Sequence, residues 1–167
     1  NELAVAHIVA AATPANSTLT IGSSMPIRDL DAFAAKDSKP IRVFGNRGAN
    51  GIDGVVSAAL GTAASGTNSV VLVGDVSMLH DVGSLGAAAL LGLPITIIVI
   101  NNDGGGIFHF LPQHDPALLD PDAFDTYLAT PHGTDFVAVA RAFGIEAHHT
   151  TDASELADLI AHPAPRP

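Results

Sequence analysis

The 167-residue chain is 47% hydrophobic, which suits one domain with a sizeable core, since chains of this length bury roughly two-thirds of their unfolded surface. Seventeen acidic residues against seven Lys and Arg give a formal charge of −10, which argues against nucleic acid or a membrane surface as partner, because both need clustered cations. No cysteine is available for a disulfide or a thiolate metal site, in keeping with a cytoplasmic location, and no apolar run reaches the ~20 residues that cross a bilayer.

In chain order, the patterning predicts a helix at about 2–12, a strand at 18–22 (TLTIG), a helix at about 27–36, a strand at 41–45 (IRVFG), a helix at about 53–64 and a strand at 69–74. A helix over 77–91, a strand at 95–100 (ITIIVI), a helix at 134–143, a weak strand at 145–150 and a helix at 153–161 follow. Such alternation builds an α/β fold, a three-layer αβα sandwich around a mostly parallel sheet. The runs VVLV and ITIIVI, apolar at successive positions, are expected as central strands covered on both faces. Residues 112–131 carry four prolines and form a long connection, read as a lid or a partly disordered loop. The chain opens without Met and closes on HPAPRP just after a helix, where the rhythm asks for another strand. The expectation is a single domain, 1–167, that is a C-terminal part of a longer multidomain enzyme and lacks its last strand.

In open α/β sheets, ligands bind outside the carboxyl ends of the strands. Here those ends carry SSMPIRD, NRGANGIDG, DVSMLHD and NNDGGGIFHF, which four adjacent parallel strands would aim into one crevice. Asp75 and Asn102 each stand just beyond a strand with one crossover helix between them, so neighbouring strand ends bring them together. Asp75 alone could be the N-cap of the helix over 77–91, and NNDGGG alone a tight turn. Together, a carboxylate, a carboxamide and a glycine backbone make an all-oxygen half-shell of low charge, which suits Mg²⁺ with water and phosphate completing the coordination. A bare carboxylate about 4 Å from a phosphate would repel it by about 1 kcal/mol in water and about 4 at an intermediate dielectric, and a divalent ion reverses that sign. The glycines at 104–106 allow close approach of a ligand, and the helix beginning near Ser77 could direct its free N–H groups at an anion.

At Gly74-Asp75-Val76-Ser77 and Asn101-Asn102 the chain resembles the thiamine-diphosphate-dependent enzymes, although Val76 stands where many members have Gly. The resemblance implies thiamine diphosphate and Mg²⁺ (or Mn²⁺) as cofactors. Asp75, Asn102 and the backbone of Gly104 would hold the metal, with Ser24, Gly51, Ile52, Gly74, Val76, Ser77, Gly105 and Ile107 completing the cofactor site. Ile52 matches the aliphatic residue that props the cofactor in its bent form; its other reading is a core position of the next helix.

The segments NRGANGIDG, GDVSMLHD and NNDGGGIFHFLPQ are most similar to the branch of this family that adds decarboxylated 2-oxoglutarate to isochorismate in menaquinone biosynthesis. The similarity runs over nearly the whole chain and corresponds to the C-terminal, pyrophosphate-binding domain. It implies that Arg28 and Arg47 hold substrate carboxylates, with surface ion pairs as their alternative, and that Ile107 and Phe108 wall the substrate. It also implies that the activating glutamate sits on a pyrimidine-binding domain of a second subunit, in a homodimer or homotetramer. Glu2, Glu146 and Glu155 are read as lying away from the crevice, so no catalytic residue is expected in this chain and the isolated chain is expected to be inactive. All eight histidines are read as structural, surface or loop residues, with His80 and His109 alone near the crevice.

Three alternatives remain at this point: another thiamine-diphosphate 2-keto acid decarboxylase or carboligase, a non-catalytic domain that kept the fold, and an NAD-binding oxidoreductase. The last would use Gly48, Gly51 and Gly54 for the dinucleotide and Asp75 for its ribose.

Overall fold

The computed structural model describes residues 2–34, 39–46 and 51–163. Four strands, β1 (Thr18–Ile21), β2 (Arg42–Gly45), β3 (Ser69–Gly74) and β4 (Ile95–Ile100), form an all-parallel sheet in the order β2-β1-β3-β4. Eight α-helical segments surround it: α1 (Glu2–Ala12), α2 (Met25–Phe33), α3 (Val55–Ala63), α4 (Asp75–His80), α5 (Ser84–Leu91), α6 (Pro121–Phe124), α7 (Phe136–Ala142) and α8 (Ala153–Ala161).

Alternation along β3 sorts these helices into two layers. Val71 and Val73 face α3, α5 and α7, where Val55, Val56, Ala59, Leu85 and Ala140 complete one core. Val70 and Leu72 point the other way and join Leu19, Ile21, Val9 of α1 and Ile160 of α8 in the second. Period two in a strand buried on both sides requires this division. The same rule places Thr18 of β1 on the α3 face, where its hydroxyl meets that of Thr62 at 3.1 Å, with Ser69 Oγ 2.9 Å from Thr62. Helix starts follow local chemistry: Asp152 caps α8 by accepting the Glu155 N–H (2.8 Å), Asp135 caps α7 through Ala138 N–H (3.0 Å), and Pro26 occupies the first turn of α2.

Several expectations change. The helix foreseen over 77–91 is two, broken at Asp81-Val82-Gly83, because the Asp81 carboxylate turns aside to accept both the backbone N–H and the hydroxyl of Ser57 (2.7 Å each). β4 is an edge of the described sheet and not a central strand; only Ile98 is fully buried. No strand forms over 145–150. Gly144, at φ +78°, ends α7 with Ile145 N–H bonded back to Ala140 O, and the chain then runs unpaired along β4 across a cleft of about 1430 Å³. The connection over 112–131 is not a structureless loop: short 3-10 turns at Gly106–Phe110 and Pro112–His114 lead into α6 and a π turn at Asp125–Ala129, gathered around buried Phe124. Residues 35 and 36, expected in the second helix, lie outside the described residues. No described helix is long and apolar enough to cross a membrane.

The chain reverses direction in the sheet between β1 and β3, since β1 leads outward to β2 and β2 crosses back to β3. A crevice beyond the carboxyl ends of β1 and β3 is therefore where a ligand is expected. Leu72, fully buried beneath this point, is predicted to cost about 2–5 kcal/mol of stability on truncation to Ala, read as a lowered urea midpoint with an unchanged slope.

Candidate functional site

The residues past β3 and β4 meet through a buried carboxylate. Asp75 is the first residue of α4, with Gly74 as its N-cap, and is only 2% exposed. Its Oδ2 accepts the backbone N–H groups of Asn102 and Gly104, both at 3.0 Å, while Oδ1 accepts only the N–H of Val76, at 2.7 Å. The register pairs Gly74 with Ile100, so the two strands deliver Asp75 and the Asn101–Gly106 loop at the same height. Asp75 thus meets the backbone of Asn102 and not its side chain. The Asn102 carboxamide lies over Gly106, where a Cβ would come within 2.5 Å of Nδ2, and Nδ2 donates to Glu2 Oε1 at 3.1 Å. Glu2 therefore stands beside this loop and not away from it. Gly104 (φ +138°) passes under the Ala129 carbonyl so closely that a Cβ would collide with it, which restricts the position to glycine.

A histidine missed by the sequence reading closes the carboxylate from the far side. His132 Nε2 is 3.3 Å from Asp75 Oδ2, in a side chain 13% exposed. Its Nδ1 accepts the Thr134 N–H at 3.0 Å. The neighbouring turn is held by Asp103 (φ +63°), whose Oδ1 accepts Gly133 N–H at 2.7 Å and His132 N–H at 3.1 Å. Those bonds, Gly133 first, hold the Asp103 carboxyl below its ordinary pKa. His109 instead packs edge-on against His114 and Phe124, and His80 is exposed at the end of α4. His132 gave no local signal, because the carboxylates it meets, Asp75 and Asp103, are distant in sequence.

α4 also anchors the turn past β2. Ser77 Oγ donates to the carbonyl of Ile52, and the Ser57–Asp81 bonds fix the start of α3 that follows this turn. Gly51 and Ile52 are half-buried here. With only six residues, α4 offers little of the dipole expected of a long helix at this place. Past β1, Ser24 adopts φ +72°, and Arg28 Nη1 donates to its carbonyl at 2.6 Å, so Arg28 folds back along its own helix. Ile107 and Phe108 are half-buried in the 3-10 turn that follows Gly105, with the Phe108 ring against that glycine. Arg47 and Gly48 lie outside the described residues.

Asp29 of α2 is 2% exposed and its Oδ2 has no hydrogen-bond partner. Burial, and secondarily the charge of Glu2, push its carboxyl pKa up.

Among the described residues no three His, Asp or Glu side chains gather as a metal centre. A cation at this edge would rest on one carboxylate, one amide and backbone oxygens. The Asp75 carboxylate fits that role: Oδ2 is crowded with donors, Oδ1 has one, and the Asn102 amide commits its nitrogen to Glu2, which keeps its oxygen available as a ligand. The dinucleotide alternative fits poorly, because the Asp75 carboxylate is turned inward on backbone amides of the loop past β4.

A buried acid beneath a glycine loop, at the carboxyl edge of a parallel sheet beside its reversal point, is the plan of a ligand-binding α/β domain. The chain belongs to the thiamine pyrophosphate enzymes: the model of their C-terminal TPP binding domain matches residues 32–164. Thiamine diphosphate is accordingly the cofactor of this domain. The chain is 50% identical over 149 residues to the 2-succinyl-5-enolpyruvyl-6-hydroxy-3-cyclohexene-1-carboxylate synthase of Myxococcus xanthus, covering 89% of this chain and 25% of that protein. It is 51% identical over 138 residues to the synthase of the same name from Chloroflexus aurantiacus, covering 82% of this chain and 22% of that protein. The chain thus spans about a quarter of the length of the curated relatives it matches. Solved structures of the same fold include benzoylformate decarboxylase from Polynucleobacter necessarius (TM-score 0.74, 22% identity, 96% of this chain and 30% of that one). Another is the thiamine diphosphate-dependent 4-hydroxybenzoylformate decarboxylase from Rhodococcus jostii RHA1 (TM-score 0.71, 20% identity, 96% of this chain and 29% of that one).

A raised carboxyl pKa in the folded state means that the fold binds the Asp29 proton more tightly than the unfolded chain does. The favourable contribution is then complete below the unfolded pKa and is lost as pH rises through the folded one. Asp29→Asn is predicted to raise the melting temperature at pH 7, with the gain shrinking as pH falls below about 4. A gain that is equal at both pH values, or a loss at pH 7, would contradict this.

Proposed function

We propose that the chain is the diphosphate-binding domain of a 2-succinyl-5-enolpyruvyl-6-hydroxy-3-cyclohexene-1-carboxylate synthase, which decarboxylates 2-oxoglutarate and adds the succinyl unit to isochorismate in menaquinone biosynthesis. The single observation that carries this reading is sequence identity of about one-half across most of the chain to synthases of that name, while the decarboxylases of the same fold stand at 20–22%. In this reading Mg²⁺ or Mn²⁺ is held by Asp75 Oδ1, the Asn102 amide oxygen and the Gly104 carbonyl. Ser24, Gly51, Ile52, Gly74, Val76, Ser77, Gly105 and Ile107 would complete the cofactor site.

When bound, thiamine diphosphate supplies the electron sink that lets a 2-keto acid lose CO₂. The chain's own contribution is placement. Asp75 offsets the charge of the cation, which in turn offsets the diphosphate, so the acid beneath the anion becomes attractive overall. Ser77 fixes the Ile52 carbonyl and with it the height of the Ile52 side chain. Arg28 and Arg47 take substrate carboxylates, and Phe108 joins Ile107 in excluding water from them. The group that activates the cofactor comes from the pyrimidine-binding domain of a second subunit, in a cytoplasmic homodimer or homotetramer.

Calorimetric titration of the full-length protein tests the reading. Thiamine diphosphate should bind only with Mg²⁺ present, NAD should give no heat, and Asp75→Ala should weaken Mg²⁺-dependent binding by at least about 100-fold with the fold retained. Binding that is indifferent to Mg²⁺ or to Asp75 would refute the metal assignment; absence of turnover with 2-oxoglutarate and isochorismate would refute the substrates.

A further inference from the structure

His132 stands where no part of the proposed chemistry needs an imidazole, yet it is nearly buried and aimed at the most buried carboxylate of the site. Its Nδ1 accepts a backbone N–H from Thr134, so this nitrogen is unprotonated and a neutral ring carries its proton on Nε2. Nε2 has no hydrogen-bond partner of good geometry and is shielded from solvent; the acceptor it faces, at 3.3 Å, is Asp75 Oδ2. We propose that His132 is a positioning residue for the metal-binding carboxylate: its Nε2 edge, 3.3 Å from Asp75 Oδ2 but out of line for a hydrogen bond, holds that oxygen by electrostatic attraction, so that Oδ2 is anchored and Oδ1 alone is presented to the cation. The inference rests on the cofactor reading given above.

Donor counting supports the asymmetry. A carboxylate has about four lone-pair sites. Oδ2 faces the N–H groups of Asn102 and Gly104 as well as the imidazole, which leaves it no room for a metal, whereas Oδ1 holds only the Val76 N–H. A contact from a different segment of chain narrows the swing of the carboxylate about its Cβ–Cγ bond and so fixes the direction in which the free oxygen points. The ring itself is held from three sides. Asp103 fixes the backbone on both sides of the His132–Gly133 peptide, Thr134 fixes Nδ1, and the Phe136 ring stands edge-on at 5.8 Å. Asp103 belongs to the loop that carries Asn102 and Gly104, so the same loop that supplies the backbone donors also sets the histidine.

The test uses full-length protein with thiamine diphosphate and Mn²⁺, whose free fraction is read by electron paramagnetic resonance. His132→Phe keeps an aromatic ring beside Phe136 but removes both nitrogens; His132→Gln restores an N–H of similar reach. Wild type should bind Mn²⁺, His132→Phe should bind about tenfold more weakly or worse, and His132→Gln should recover to within about threefold of wild type. The melting temperatures of the three metal-free proteins should agree within a few degrees, which separates positioning from a fold defect. Equal Mn²⁺ affinity in wild type and His132→Phe, or a Gln variant as weak as the Phe variant, overturns the role of the Nε2 proton while leaving the cofactor reading intact. Failure of the wild type to bind Mn²⁺ overturns both.

Discussion

The carboxylate of Asp75 is the constraint around which the rest of the molecule is arranged. A buried charged carboxylate is costly unless donors meet it, and here two of its three backbone donors come from a loop past the next strand. That requirement explains why the loop is glycine-rich: Gly104 must take a left-handed conformation beneath the Ala129 carbonyl to turn its N–H inward. It also explains why the segment over Asp125–Ala129 presses on that loop instead of standing clear of it. Gly105 N–H bonds the Ala129 carbonyl at 2.6 Å, so the long excursion after β4 returns to seal the loop that began it.

The sheet serves this arrangement by geometry alone. Parallel strands place their carboxyl ends on one side, and the reversal between β1 and β3 opens a gap where helices do not block access. Stability and ligand access are thereby separated: Leu72 and Val71 sit in the fully buried middle of β3, and just past the end of that strand Asp75 delivers a charged side chain.

What could be read from the residues depended on the range of the forces involved. β3 and β4 were legible because a continuous apolar run is a local pattern, β1 and β2 because short β-branched runs alternate with helical ones, and α1, α7 and α8 because their periodicity or their capping acids are local too. The link between Asp75 and the Asn102 loop followed from strand adjacency, which a βαβ rhythm supplies. The break in the helix after Asp75 was hidden because it depends on Ser57, a residue in another element. The edge position of β4 and the missing strand at 145–150 were hidden because pairing is a property of neighbours, and ITIIVI reads alike in the middle or at the side of a sheet. His132 and Glu2 were misplaced for the same reason: each reaches the site through a tertiary contact with no spacing signal. Arg28 was rightly located past β1, but its bond to the carbonyl of Ser24 could not be inferred from MPIRD.

One short helix has a consequence larger than its length. Side chains at positions 75, 77 and 81 of α4 and its terminus grip, respectively, the loop past β4, the turn past β2 and the start of α3. These three contacts, two to the stretch that runs from the turn past β2 into α3 and one to the loop past β4, are thus surveyed from a common benchmark, and the spacing of the two stretches does not depend on the length of chain between them. Insertions elsewhere can accumulate without shifting that frame, whereas a single register slip in these six residues would misalign all three at once.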